Sequence, residues 1–151
     1  MLIEEETFDE SHPPPLPASW GEHVFRFCTF DGLPLEGLSF DGIMQSCTFT
    51  GCQFYWGFFN CALLADVRFV DCTFPGASFR SAKLIACTFE RCRFELDNLG
   101  GDCTIADCLI VATAFDRCHW IAKPDRGKRD ITNTRWLACT QSACRGFEHM
   151  F

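Results

Sequence analysis

This 151-residue chain has one tyrosine against seventeen phenylalanines, and its first 66 residues hold a single basic side chain, Arg26, against ten acidic ones. No run of about 18 apolar residues is present, so no membrane-spanning helix is expected. The opening Met-Leu-Ile-Glu-Glu-Glu lacks the basic and apolar regions of a secretory signal, and the expected location is cytoplasmic. Enzyme signatures are missing too: there is no Gly-rich phosphate loop, no HExxH and no nucleophile elbow. The four histidines, at 12, 23, 119 and 149, are scattered with no carboxylate at a fixed spacing. These absences point away from an enzyme, a cofactor, a metal centre or a small-molecule substrate.

A helical or simple strand period is also lacking. Between Cys47 and Leu99 a large apolar residue recurs every fifth position, as in Phe49, Phe54, Phe59, Leu64, Phe69 and Phe74, ending at Leu99. A period of five fits neither a helix, at 3.6, nor a plain strand, at 2. Two positions before each centre sits a small residue, often cysteine. Residues two apart share a side in extended backbone, so each block reads as a very short strand followed by a corner. If every corner turns the same way, the apolar pairs face one axis and the chain winds into a tube. No block buries its pair alone, so stability comes from stacking coil on coil.

Blocks such as Ala77-Ser78-Phe79-Arg80-Ser81 and Ala82-Lys83-Leu84-Ile85-Ala86 resemble those of pentapeptide-repeat proteins. The resemblance spans roughly Phe25 to Gly146. It implies an all-β fold, a single right-handed four-sided β-helix with four blocks per coil and capping ends. Counting centres from Phe25 to Gly146 gives nearly six coils, or a tube of roughly 27 Å at ~4.8 Å per coil.

The register accounts for the composition. Twelve of the seventeen Phe occupy centres, and fully burying each contributes ~1.5–3 kcal/mol. Eleven of the twelve cysteines take the small inward position, with Cys61 the exception. They read as packing thiols in a reducing compartment, with disulfides or a metal site as lesser alternatives.

Along the chain, residues 1–21 read as an acidic, Pro-rich arm outside the repeat, laying Leu2, Ile3, Phe8 and Trp20 over the first coil as a cap. Residues 22–151 form the β-helix. One residue is missing before Met44, and one is added between Leu99 and Ile105. Residues 123–133 leave the tube as a loop, and Trp136 resumes the register. Phe147, Met150 and Phe151 are expected to cover the far end.

Three features stand out as partner-binding candidates. Asp31, Glu36 and Asp41 each follow a centre and are read as acidic corners of a half carrying a charge of −9; the balance over residues 67–151 is +2. Tyr55, Trp56 and Phe58 occupy outward positions where small or polar residues are usual, and they read as an exposed interface anchor. The loop supplies Lys123, Arg126, Lys128 and Arg129. Direct nucleic-acid binding is disfavoured, since phosphates repel the acidic half.

The sequence-level reading is therefore a non-catalytic protein inhibitor: an immunity protein neutralising a basic bacterial toxin, such as a nuclease. The resemblance also offers a DNA-mimicking, gyrase- or topoisomerase-protecting protein, and an assembly scaffold is a third reading. The short tube, covering only ~8 base pairs at 3.4 Å each, and the absence of an evident C-terminal dimerising helix count against gyrase mimicry.

Overall fold

The computed structural model describes residues 1–121, 130–148 and 150–151. Strands of two or three residues follow one another along the chain, and each pairs in parallel with a strand about one coil away. They form four sheets, two of seven strands and two of three, around a solenoid of about 6 turns. The first face runs from Leu2–Glu4 through Val24–Arg26, Ile43–Gln45, Leu63–Ala65, Lys83–Ile85 and Leu109–Val111 to Arg135–Leu137. The second runs from Thr7–Phe8 to Thr140–Ser142. Thr73–Pro75, Arg93–Glu95 and His119–Trp120 make the third face, and Ser78–Arg80, Thr104–Ala106 and Asp130–Thr132 the fourth. Isolated bridges such as Pro34 to Gln53 and Ser39 to Phe58 carry these two faces back to earlier coils.

In the three-residue strands from Val24–Arg26 to Ala114–Asp116 the middle residue is buried, and parallel pairing in register sets like upon like. Phe30, Phe49, Phe69, Phe89 and Phe115 stack along the second face with centroids 4.4 to 5.1 Å apart and planes within 9°. Phe54, Phe74 and Phe94 stack along the third. These spacings match the distance between hydrogen-bonded strands, so pairing and ring stacking are satisfied by one geometry. Corner residues turn the chain with a positive φ, at Ser46 (53°), Asp66 (54°) and Ala86 (54°) for example. That conformation costs a non-glycine residue about 1–2 kcal/mol. Hydrogen bonds to the next coil offset it, such as Asp66 N–H to the Ile85 carbonyl at 2.9 Å.

The small inward positions hold a ladder of thiols. Cys52, Cys72 and Cys92 are buried, and Cys72 and Cys92 donate to the Phe49 and Phe69 carbonyls of the preceding coil at 3.5 and 3.3 Å. Cys118 and Cys144 continue the pattern toward Phe89 and Phe115. Thr113 stands where other coils have cysteine, and its hydroxyl donates to Val111 O at 3.1 Å. The Cys87 thiol makes the equivalent bond to Ile85 O, and Val67 in the same column makes none, so the position requires a small buried side chain. Burial pushes the Cys47 thiol up to about 12 and that of Cys87 to about 11. Cys61 is exposed.

Three boundaries read from the sequence need correction. Residues 2–8 are not outside the repeat: Leu2–Glu4 pairs with Val24–Arg26, and Thr7–Phe8 with Thr29–Phe30. Ile3 and Phe8 are five apart and take the two centre positions. The chain then departs, and a 3₁₀ helix, Pro17–Glu22, seats the fully buried Trp20 against Phe25 and Phe30. Leu99 is not a centre; it is 83% exposed. The chain passes from Phe94 on the third face to Ile105 on the fourth through a loop, not a one-residue slip. The Asp97 carboxylate closes that loop by accepting from the N–H groups of Leu99 and Gly101 at 2.8 and 2.7 Å. The second insertion ends earlier than its composition suggests: Asp130–Thr132 pairs with Thr104–Ala106, setting Ile131 in register with Ile105. Finally, Asp31 ends a second-face strand, Glu36 lies in the turn at Gly37 after the third face, and Asp41 follows Phe40 on the fourth face, because blocks five residues apart occupy successive sides. Phe147 and Met150 are buried at the far end, and Phe151 stacks on Trp136 at 5.0 Å.

Candidate functional site

The corner between the third and fourth faces differs from the other three. Its corner residues are Gly37, Trp56 and Gly76 in successive coils, all at positive φ. The next coil inserts the loop around Asp97. In the coil after that the chain leaves the third face at Ile121 and re-enters the fourth at Asp130. Both insertions therefore arise at one corner, in adjacent coils. Along the first-face column the step from Leu84 to Ile110 is 26 residues, against 20 from Leu64 to Leu84.

The first loop folds toward the N-terminal end of the tube and covers the corner. Trp56 Nε1 donates to Asp97 Oδ2 at 2.9 Å, and Asn98 N–H donates to the Tyr55 hydroxyl at 2.9 Å. The Tyr55 hydroxyl in turn donates to Asn98 Oδ1. Tyr55 and Trp56 rings lie 4.9 Å apart. Gly76 permits this closure: a Cβ there would lie 2.9 Å from the Asp97 side chain. The loop tip presents Leu99 to solvent.

The sequence-predicted anchor thus has a different form. Trp56 and Phe58 are 37% and 41% exposed, while Tyr55 is half-buried and tied to the loop. Phe58 flanks the corner on the fourth face. Trp56, Phe58 and Leu99 are exposed, and Asp97 and Asn98 tie the loop to Trp56 and Tyr55. Glu36 and Asp41, both exposed, lie one coil below on the two faces that meet here, and Asp31 is away on the second face. Among the described residues no ion pair involves these three acids. Several acids of the later coils, by contrast, are paired. Glu90 receives Arg68 at 2.6 Å, Arg91 at 2.7 Å and Arg117 at 3.2 Å, and Arg91 also holds Asp71 at 2.7 Å. Lys123, Arg126, Lys128 and Arg129 lie outside the described residues. Among the described residues no cluster of three or more metal-ligating side chains occurs, and no helix is long and apolar enough to cross a membrane.

Sequence reasoning missed Asp97, Asn98 and Leu99. The signal was present as Asp-Asn-Leu-Gly-Gly, a turn-forming run, but Leu99 fell on the five-residue count and masked it.

A family model described as pentapeptide repeats matches residues 59–95, in eight copies. No curated protein matches the chain. Among solved structures, the chain is similar to QnrB1, a plasmid-mediated fluoroquinolone resistance protein, at 13% identity over 95% of this chain and 70% of that one, with a TM-score of 0.41. It is also similar to HetL, a pentapeptide repeat protein involved in heterocyst differentiation regulation from the cyanobacterium Nostoc sp. strain PCC 7120. That likeness is 10% identity over 95% and 69% of the two chains, with a TM-score of 0.36.

Proposed function

We propose that this chain, whose residues 59–95 match the pentapeptide-repeat family model, is a non-catalytic inhibitor that grips a basic partner protein at the third-to-fourth corner. The observation that carries this reading is the convergence there of two insertions and the aromatic pair Tyr55–Trp56. A rigid scaffold that extends loops at one place concentrates variable, exposed chain where a partner is met. Trp56, Phe58 and Leu99 supply apolar anchors, while Glu36 and Asp41 steer a cationic surface toward them. The partner we favour is a nuclease-type toxin, whose nucleic-acid surface is basic. The reading makes this an immunity protein, acting in the cytoplasm where such a toxin would strike.

The test is affinity purification of the tagged chain from its own cells, with mass spectrometry of stoichiometric partners and titration of the purified pair. Recovery of a secreted toxin domain bound with nanomolar affinity, and weakened by Trp56→Ala, supports the reading. Recovery of gyrase or topoisomerase subunits replaces it with protection of that enzyme.

A further inference from the structure

We propose that the cleft between the proline-rich arm and the N-terminal end of the third face binds a small organic ammonium ion, an amino group on a compact apolar body. The cleft holds about 290 Å³, close to the ~300 Å³ at which small-molecule pockets begin. The arm lines it with Pro13 to Pro17, and the third face with Leu33, Pro34 and Leu35. Its shape is set before a ligand arrives. Leu33 and Leu35 are buried in the core, and each proline fixes its own φ at about −65°. Leu16, between prolines, is extended at φ −57° and ψ 138°. The buried Trp20 indole donates from Nε1 to the Pro15 carbonyl at 2.7 Å, and Asp9 and His12 exchange backbone hydrogen bonds at 3.0 and 3.2 Å.

The chemistry of the lining selects the occupant. Five of its ten residues are proline, which has no N–H, so they offer an anion no backbone donor. Its charged residues are Asp9 and Glu10, both acidic. Oδ1 of Asp9 accepts from the Ser11 hydroxyl at 2.7 Å and from the N–H groups of Ser11 and His12 at 2.9 and 2.8 Å. These bonds hold the carboxyl below its ordinary 3.8, so it is ionised at neutral pH, while Oδ2 has no partner among the described residues. Among the same residues the Glu10 side chain makes no hydrogen bond or ion pair. The N-terminal half does not supply the missing cation. Its one Lys or Arg, Arg26, lies over the Phe27 ring at 5.5 Å, and His12 turns to Glu6 at 3.3 Å. An amine from outside meets the acids while its apolar part displaces water from the prolines and leucines.

The test is a titration of the ¹⁵N-labelled full chain with phenethylamine at neutral pH and physiological salt. The expected result is saturable amide shifts confined to Glu10, Ser11, Leu16, Leu33 and Leu35. Phenethyl alcohol, of the same shape without the charge, and hydrocinnamate, of opposite charge, bind at least tenfold more weakly. Methylamine, with the charge and no ring, does the same. Asp9→Asn combined with Glu10→Gln weakens phenethylamine at least tenfold; asparagine keeps the Oδ1 acceptor, and thermal melting checks that the fold is kept. Equal binding of the alcohol, shifts spread over other acidic residues as for a simple counter-ion, or no saturable shift at millimolar amine overturns the proposal. A folded double variant that binds the amine as tightly as the parent overturns it too. A capped Phe-Lys peptide that saturates the same amides where the free amine does not overturns it in favour of a side chain from a protein partner.

Discussion

The indole Nε1 of Trp56 donates to the carboxylate of Asp97 at 2.9 Å, across 41 residues of sequence. The bond spans two coils and passes over Gly76, linking an aromatic corner to the loop that shields it. Trp56 itself stands at φ 53°, where the coils on either side place Gly37 and Gly76.

Trp56→Gly separates binding from folding. Glycine adopts the corner conformation without a Cβ penalty, offsetting the lost indole bond, so the melting temperature is expected to change by no more than a few degrees. Affinity for the partner falls about 30-fold, or ~2 kcal/mol, as for an anchor aromatic at an interface. Calorimetric titration beside thermal melting of the same samples measures both. Unchanged affinity would remove Trp56 from the contact surface.

Gly76→Ala tests the hinge on which the loop closes. Alanine at φ 61° is strained, and its Cβ would crowd Asp97 at 2.9 Å. The expected cost is ~1–2 kcal/mol, read from denaturant midpoints. The loop lifts, so the Trp56 indole N–H resonance moves toward its solvent-exposed position while those of Trp20 and Trp120 stay fixed.

Thiol chemistry reports the register. In the native protein a disulfide reagent at neutral pH reacts fast with Cys61 and slowly with the half-buried Cys139 and Cys144; the other nine cysteines react only after unfolding. Cys61→Ser abolishes the fast phase. The buried neutral thiols also set an alkaline limit. Cys47 and Cys87 are raised from 9.0 to about 12 and about 11, so the stability they contribute is complete below pH 9. It is lost as pH rises from there through the folded values, because the unfolded chain ionises first.

The arginine network sets the acid limit. The Arg91 guanidinium bound to Asp71 holds that carboxyl below its ordinary 3.8, and Arg68 with Arg91 holds Glu90 below 4.5. Lowered carboxylates contribute stability that is present above those ordinary values and lost as pH falls through the lower folded ones. Arg91→Ala is therefore less stable than the parent at pH 7, and melting curves of the two proteins converge as pH falls below about 4. A gap that stays constant into acid contradicts the pairing.

Much of this architecture was legible in the linear chain. A five-residue period with Phe at the centre and Cys two before it gives very short strands each followed by a corner, and a tube if every corner turns the same way. Which positions point inward follows from alternation alone, and Phe49, Cys52 and Phe54 obey it. The exposed corner at Cys61 is readable in the same way.

What the sequence by itself determined is which side chains line the tube, because side-chain alternation and block length are local properties; the four-sided section was implied by the resemblance of the blocks. What only the tertiary structure decided is which residues share a column, since that depends on how many residues each corner consumes before the next strand pairs. A local period cannot count them: Leu99 keeps the spacing yet lies outside, while Ile131 in a charged run returns to the wall. Once the corners at Asp97 and beyond Ile121 take their extra residues, Asp97 falls against Trp56. Along the first face, pairing sets Leu63 beside Ile43 and Lys83 between Leu63 and Leu109. Those neighbours are made by the ladder hydrogen bonds between coils, and no spacing within a single coil records them.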